Sequence, residues 1–239
     1  MNGGSTYDFF LTCRMIALLR KNGPFFGPYL LFLLAGGILQ WRYAQAEIFL
    51  FVNTHYQTWA DYLFAYGTHL GDGLFYAGVV LLLLFVRYQY ALTALAAFAL
   101  SGLTAQLLKR LAFSGALRPK AFFEKSGQVL HWVDGVEVHL YNSFPSGHAT
   151  TAFSVFCLLS LLAGRKSWGA FWFALALAAA YSRVYLGQHF FGDVFAGSII
   201  GVGVTVACYL ALERVWARYP RRWYTASLRG RRLADRASA

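Results

Sequence analysis

Lys109, Arg118, Arg183, His148 and His189 stand near the edges of apolar segments in a 239-residue chain where only 13% of residues are charged. They fall in short runs: Arg118-Pro119, Pro145-Ser146-Gly147-His148, and Ser182-Arg183 followed by His189 and Asp193. Three fixed cations and two imidazoles are costly beside a bilayer, so a charged partner must compensate them. A phosphate has the matching geometry. Arg118 and Arg183 can each donate two parallel hydrogen bonds, and Lys109 adds a point charge. Phosphoryl transfer asks a protein mainly for such positioning and charge stabilisation.

His189 and Asp193 are four residues apart, which on a helix places them on one face. A carboxylate there orients one ring N–H and leaves the other nitrogen free to attack phosphorus. His148 is the candidate acid for a departing alkoxide and the base for the water that follows. Ser146 and Gly147 open an apolar run, so their backbone N–H groups suit an oxyanion at a helix N-terminus. Singly, each residue has a plainer reading as a cap or a snorkelling anchor. Their joint occurrence points to a site.

These runs resemble the signature of the type 2 phosphatidic acid phosphatase (PAP2) family: a lysine, Arg-Pro, Pro-Ser-Gly-His, then Ser-Arg, five residues, His, three residues and Asp. Pro145-Ser146-Gly147-His148 matches the second block, and Ser182, Arg183, His189 and Asp193 match the third with its spacing intact. The first block departs from the pattern, because eight residues separate Lys109 from Arg118 where the family usually has six. Arg110 therefore competes with Lys109 for that role. The resemblance implies a phosphohistidine formed on His189, acid–base work by His148, orientation by Asp193, and no metal or other cofactor. It assigns phosphate binding to Lys109, Arg118, Ser146, Gly147 and Arg183.

The elements that hold these residues are membrane helices. With 58% hydrophobic and 18% aromatic residues, the chain is too apolar for a soluble domain of this length. Apolar stretches recur at residues 27–41, 74–86, 91–108, 149–163, 168–185 and 191–212. A span needs about 20 residues, so the second and fourth stretches borrow flanking ones. The expected fold is an all-α integral membrane protein of six transmembrane helices and one domain, residues 1–239. Within it, residues 1–24 form an amphipathic segment and residues 215–239 a basic tail.

Six crossings place both termini, Arg87 and Arg165-Lys166 on one side. That side carries fourteen basic and three acidic residues, the whole net charge of +11, and the other side is neutral. The positive-inside rule makes the charged side cytoplasmic, so the motifs face outward from the cell (inner) membrane. The arginines from Arg214 to Arg236 read as an anchor to anionic lipid head groups, not to nucleic acid. Residues 1–23 lack the order of a cleavable signal, because Arg14, Arg20 and Lys21 follow the apolar residues. Phe9, Phe10, Met15, Ile16 and Leu19 instead suit a helix lying on the inner surface. Cys13, Cys157 and Cys208 match no metal spacing and read as free thiols.

Two outer segments accompany the site. Residues 47–73 carry Trp59, Tyr62, Tyr66 and His69, which suit interfacial helices, and Asp72 is placed to cap the second span. Asp134-Gly135 lies between two short apolar runs holding His131 and His139, the pattern of a small hairpin with a type I′ turn. Gly197, Ser198 and Gly201 give the last span a small-residue face for a neighbouring helix in the bundle.

The function class follows from site and solvent together. The leading expectation is a membrane phosphatase acting on a lipid phosphate monoester or diphosphate at the outer leaflet. The substrates that offer this group include a phospholipid, a polyprenyl phosphate and lipid A. A lipid phosphotransferase would use the same residues. Vanadium haloperoxidases resemble the signature too, but six apolar spans disfavour a soluble enzyme. A non-catalytic binder or transporter needs the cations but not the His189–Asp193 pair.

Overall fold

The structure, a computed structural model, describes residues 4–124 and 126–230, with side chains from residue 12 onward. Lys125, the side chains of Phe9 and Phe10, and the tail residues Arg231, Arg232 and Arg236 lie outside the described residues. Each of the six apolar stretches is a helix: α2 (Gly23–Arg42), α5 (Gly73–Leu84), α6 (Tyr88–Leu107), α8 (Gly147–Leu162), α9 (Gly169–Tyr185) and α10 (Phe191–Arg218). Further α-helices accompany them. They are α1 (Gly4–Lys21), α3 (Gln45–Thr54), α4 (Thr58–Gly67) and α7 (Pro119–Phe123).

Among the described residues, three helical runs are long and apolar enough to cross a membrane alone: Gly23–Arg42, Tyr88–Ala112 and Phe191–Arg218. A fourth forms if Thr58–Gly71 joins α5 across a 54° bend. By length and composition, at least three of the six crossings expected from the sequence qualify among the described residues, or four with the bent pair. Helix α8, at 16 residues, has eleven buried residues and none that is exposed. It is enclosed by α6, α9 and α10, so protein instead of lipid satisfies most of its surface.

Small residues set how closely these helices approach. A Cβ on Gly197 would lie 2.6 Å from the Ser146 carbonyl oxygen, and one on Gly201 would strike the Thr150 carbonyl. The small-residue face of α10 therefore packs on α8 within the bundle, which holds the start of α8 against the start of α10. Gly36 does the same for α2, where a Cβ would meet Phe195 at 2.9 Å.

The two ends of the bundle differ. At one end Arg14 of α1 pairs with Glu213 of α10 at 3.0 Å. Lys166, between α8 and α9, donates to the Leu161 carbonyl at 2.8 Å. The chain after α10 folds back there, with Tyr88 N–H donating to Ala226 and Leu228 N–H to Leu84, both at 3.0 Å. Helix α1, the turns at Arg87 and at Arg165-Lys166, and the end of α10 thus share one end. At the other end lie the C-termini of α6 and α9 and the N-termini of α8 and α10, which carry the sequence motifs.

One segment at the motif end departs from expectation. Asp134-Gly135 does form a turn, closed by Val136 N–H to the Val133 carbonyl at 3.2 Å, but among the described residues no strand flanks it. Only Gly135, at φ 78°, has positive φ there, whereas type I′ requires it at both central residues. Side-chain clamps replace the ladder. The Asn53 side chain accepts from His131 N–H at 2.9 Å and donates to its carbonyl at 2.8 Å. His131 also pairs with Asp61 at 3.1 Å and stacks on Tyr56 at 3.7 Å. Asp72 caps α5 as expected, accepting from Gly73 N–H at 3.2 Å.

Candidate active site

Helix α9 ends in a way that explains the five-residue gap between Arg183 and His189. Gly187 adopts φ 68°, Gly187 N–H donates to the Val184 carbonyl at 3.1 Å, and Gln188 N–H to the Arg183 carbonyl at 2.9 Å. This paired pattern is a Schellman motif, which reverses the chain and favours glycine at the left-handed position. His189 N–H also donates to the Arg183 carbonyl, at 3.1 Å. Arg183 and His189 are thereby tied to one point of the fold.

His189 and Asp193 come together, but not as two positions on one helix face. Asp193 lies in the first turn of α10 and His189 precedes the helix. The Asp193 carboxylate turns back to cap its own helix, accepting from Phe190 N–H at 3.0 Å, and so meets His189 Nδ1 at 3.2 Å. The Ser143 hydroxyl also donates to Asp193 Oδ2 and lies 3.4 Å from His189 Nδ1. With Nδ1 donating to the carboxylate, Nε2 is the unprotonated nitrogen. Burial pushes His189 down to about 3, against the opposing pull of Asp193, so the ring is neutral near pH 7.

Two arginines flank this pair, both 8% exposed. Arg118 Nε donates to the Tyr141 carbonyl at 3.0 Å, and its Nη1 to Gln188 at 3.1 Å. Burial lowers Arg118 from its ordinary value and nearby Asp193 opposes that shift. Arg183 Nη1 donates to Thr68 Oγ1 at 2.7 Å, whereas its buried Nε has no hydrogen-bond partner among the described residues. An orphaned buried donor costs stability unless a ligand accepts from it.

Lys109 sits in a π turn, Leu108–Ala112, closed by Phe113 N–H to the Leu108 carbonyl at 3.0 Å. A π turn takes in one residue more than an α turn and is frequent at functional sites, so it absorbs half of the two-residue excess. Lys109 is half-buried and interacts electrostatically with Arg118, Asp193 and Arg183, while Arg110 is exposed.

The start of α8 completes the cluster. The Ser146 hydroxyl caps the helix, accepting from Ala149 N–H at 3.4 Å, and its N–H donates to the Asp193 carbonyl at 3.0 Å. That N–H is therefore engaged in joining two helix starts, and Gly147 is the first residue of the helix proper. His148 lies within the fields of Arg183 and Arg118 and has Asp72 Oδ1 4.0 Å from its Nε2.

All the motif residues thus meet at one end of the bundle. The sequence did not reveal Ser143, Gln188 or Thr68, whose ordinary polar side chains lie at positions that no spacing rule marks. Asp72 was legible as a cap, but not as the carboxylate beside His148.

The PAP2 superfamily model matches residues 90–217, more than half of the chain. The bacitracin transport permease protein BcrC of Bacillus licheniformis is 39% identical over 67 residues, 28% of this chain and 32% of that protein. The lipid A 1-phosphatase of Rhizobium johnstonii is 32% identical over 114 residues, 48% of this chain and 44% of that protein. The chain thus spans less than half the length of these curated relatives. The crystal structure of Aquifex aeolicus LpxE superposes with a TM-score of 0.61 at 25% identity, covering 69% of this chain and 93% of that one. With its lysine, Arg-Pro, Pro-Ser-Gly-His and Ser-Arg…His…Asp residues gathered at one end of an α-helical bundle, the chain belongs to the PAP2 superfamily.

Proposed function

We propose that this protein is a metal-independent membrane phosphatase, hydrolysing a lipid phosphate monoester or diphosphate at the outer leaflet through a phosphohistidine. The observation that carries this reading is the buried His189, held through Nδ1 by Asp193 at 3.2 Å beside two buried arginines. His189 Nε2 attacks phosphorus as the phosphoryl oxygens take hydrogen bonds from Arg118, Arg183, Lys109 and Gly147 N–H. Arg183 Nε, unpartnered among the described residues, gains an acceptor. His148 gives its proton to the departing alkoxide or phosphate, then takes one from the water that cleaves the phosphorus–nitrogen bond. The six helices are read as six crossings, with both termini cytoplasmic, because that arrangement puts all the excess positive charge on one side.

The lipid A phosphatase among the relatives supports a lipid phosphate as substrate. A transport role, carried by the name of the bacitracin relative, is the weaker reading, because transport needs no buried and oriented nucleophile. A phosphotransferase would share every step up to the phosphohistidine. The first test is phosphate release from a panel of lipid phosphates by purified protein. His189→Ala is expected to lose at least a thousandfold in kcat while still binding vanadate, and near-normal turnover would sink the nucleophile assignment.

A further inference from the structure

A second feature lies on the face of the bundle between α2 and α10, closed at one end by Met15 and Leu19 of α1 and away from the His189 cluster. It is a trough of about 840 Å³ with an almost wholly apolar lining, and Arg20 and Arg214 also border it. Both arginines belong to the end where α1 meets α2 and α10 finishes. Gly27 and Gly203 lie along it, and a Cβ at either would meet nothing within 4 Å. Leu33 and Val202 line it farthest in sequence from the arginines.

Its dimensions name its occupant. From Val202 to Arg214 is twelve residues of α10, about 18 Å of helix at the usual rise. That is close to half of a hydrocarbon core of roughly 30 Å, or one leaflet. Both bordering helices, α2 and α10, are long and apolar enough to span. A groove one leaflet deep, smooth where glycines open it and ending in two guanidinium groups, matches a single acyl chain hanging from a phosphate.

We propose that this trough binds one anionic phospholipid of the leaflet opposite the His189 site, its phosphate on Arg20 and Arg214 and one acyl chain along Gly27 and Gly203. The site is separate from the chemistry and requires only that α2 and α10 cross the membrane.

The test uses the full chain in detergent, titrated with phosphatidylglycerol or phosphatidylcholine and followed by native mass spectrometry and thermal unfolding. One phosphatidylglycerol per chain is expected to bind and raise Tm, with phosphatidylcholine at least tenfold weaker. Arg20→Ala with Arg214→Ala should weaken phosphatidylglycerol roughly 25-fold, about fivefold for each arginine near a membrane surface. Gly203→Leu, placed in open space, should exclude the lipid from a folded protein, and Gly27→Leu serves as an independent second variant. Equal binding of the two lipids, unchanged by the arginine substitutions, would overturn the proposal. So would equal stabilisation by inorganic phosphate. A dimer that Gly203→Leu dissociates, with no lipid retained, would assign the trough to a second copy and also overturn it.

Discussion

The chemistry turns on how a few side chains are held. His189 is buried and its pKa is pushed down to about 3, so at working pH it is a neutral base whose free nitrogen is chosen by Asp193. Linkage fixes the sign of the resulting pH dependence. Between about 3 and the unfolded value near 6.5 the unfolded chain binds a proton that the folded chain refuses, so stability falls as pH is lowered through that window. His189→Gln should flatten this acid slope in thermal unfolding monitored from pH 7 to pH 4. An unchanged slope would assign the acid sensitivity to other groups. Lys109 and Arg110 make the second comparison. Lys109 is half-buried on the π turn facing Arg118 and Arg183, so Lys109→Ala should cost about a hundredfold in kcat at saturating substrate. Arg110 is exposed, and Arg110→Ala should change kcat by less than about threefold. The opposite order would move the first-motif role to Arg110.

Helix ends do most of the positioning. The Schellman end of α9 and the Asp193-capped start of α10 place Arg183 and His189 at one site, and Trp132 packs directly over Gly187. Gly187→Ala should therefore fail twice, through a positive φ of 68° and through collision with the Trp132 ring. A loss of about 1–3 kcal/mol is expected from the strain, measured by denaturation. Activity should drop at least tenfold, because a displaced His189 forfeits alignment. Adding Trp132→Ala should restore part of the stability but not the φ penalty, since the two residues are in contact. If Gly187→Ala behaves like the parent, the loop carrying Trp132 does not brace the site.

At the scale of the molecule, the two ends of the bundle should face different compartments. Cys13 is exposed at the end opposite the site, and Val129, 99% exposed, stands on the loop before α8. A membrane-impermeant maleimide on intact cells should label Val129→Cys in a Cys13→Ser background. It should label native Cys13 only after permeabilisation. Cys157 and Cys208 are buried and should stay silent. The reverse pattern would invert the orientation. Helix length alone does not decide this, because among the described residues only three runs pass as independent spans.

Composition and spacing alone determined the helical class, the six apolar segments, the two motif histidines and the cations, since hydrophobic runs and chemically rare residue types are local properties. The small-residue face of α10 was legible for the same reason: Gly197 and Gly201 have no side chain that could do anything but permit close approach. What tertiary structure decided was partnership. The His189–Asp193 contact was expected from a helical spacing of four, yet it arises because a carboxylate capping α10 turns back toward a residue outside the helix. The hairpin was expected from Asp134-Gly135, but Asn53 and Asp61, 78 and 70 residues from His131 in sequence, hold that loop instead. Ser143, Gln188 and Thr68 entered the site for the same reason. Their hydrogen-bonding capacity is common to dozens of positions, and only the packing of distant helix ends determines which of them faces a buried charge.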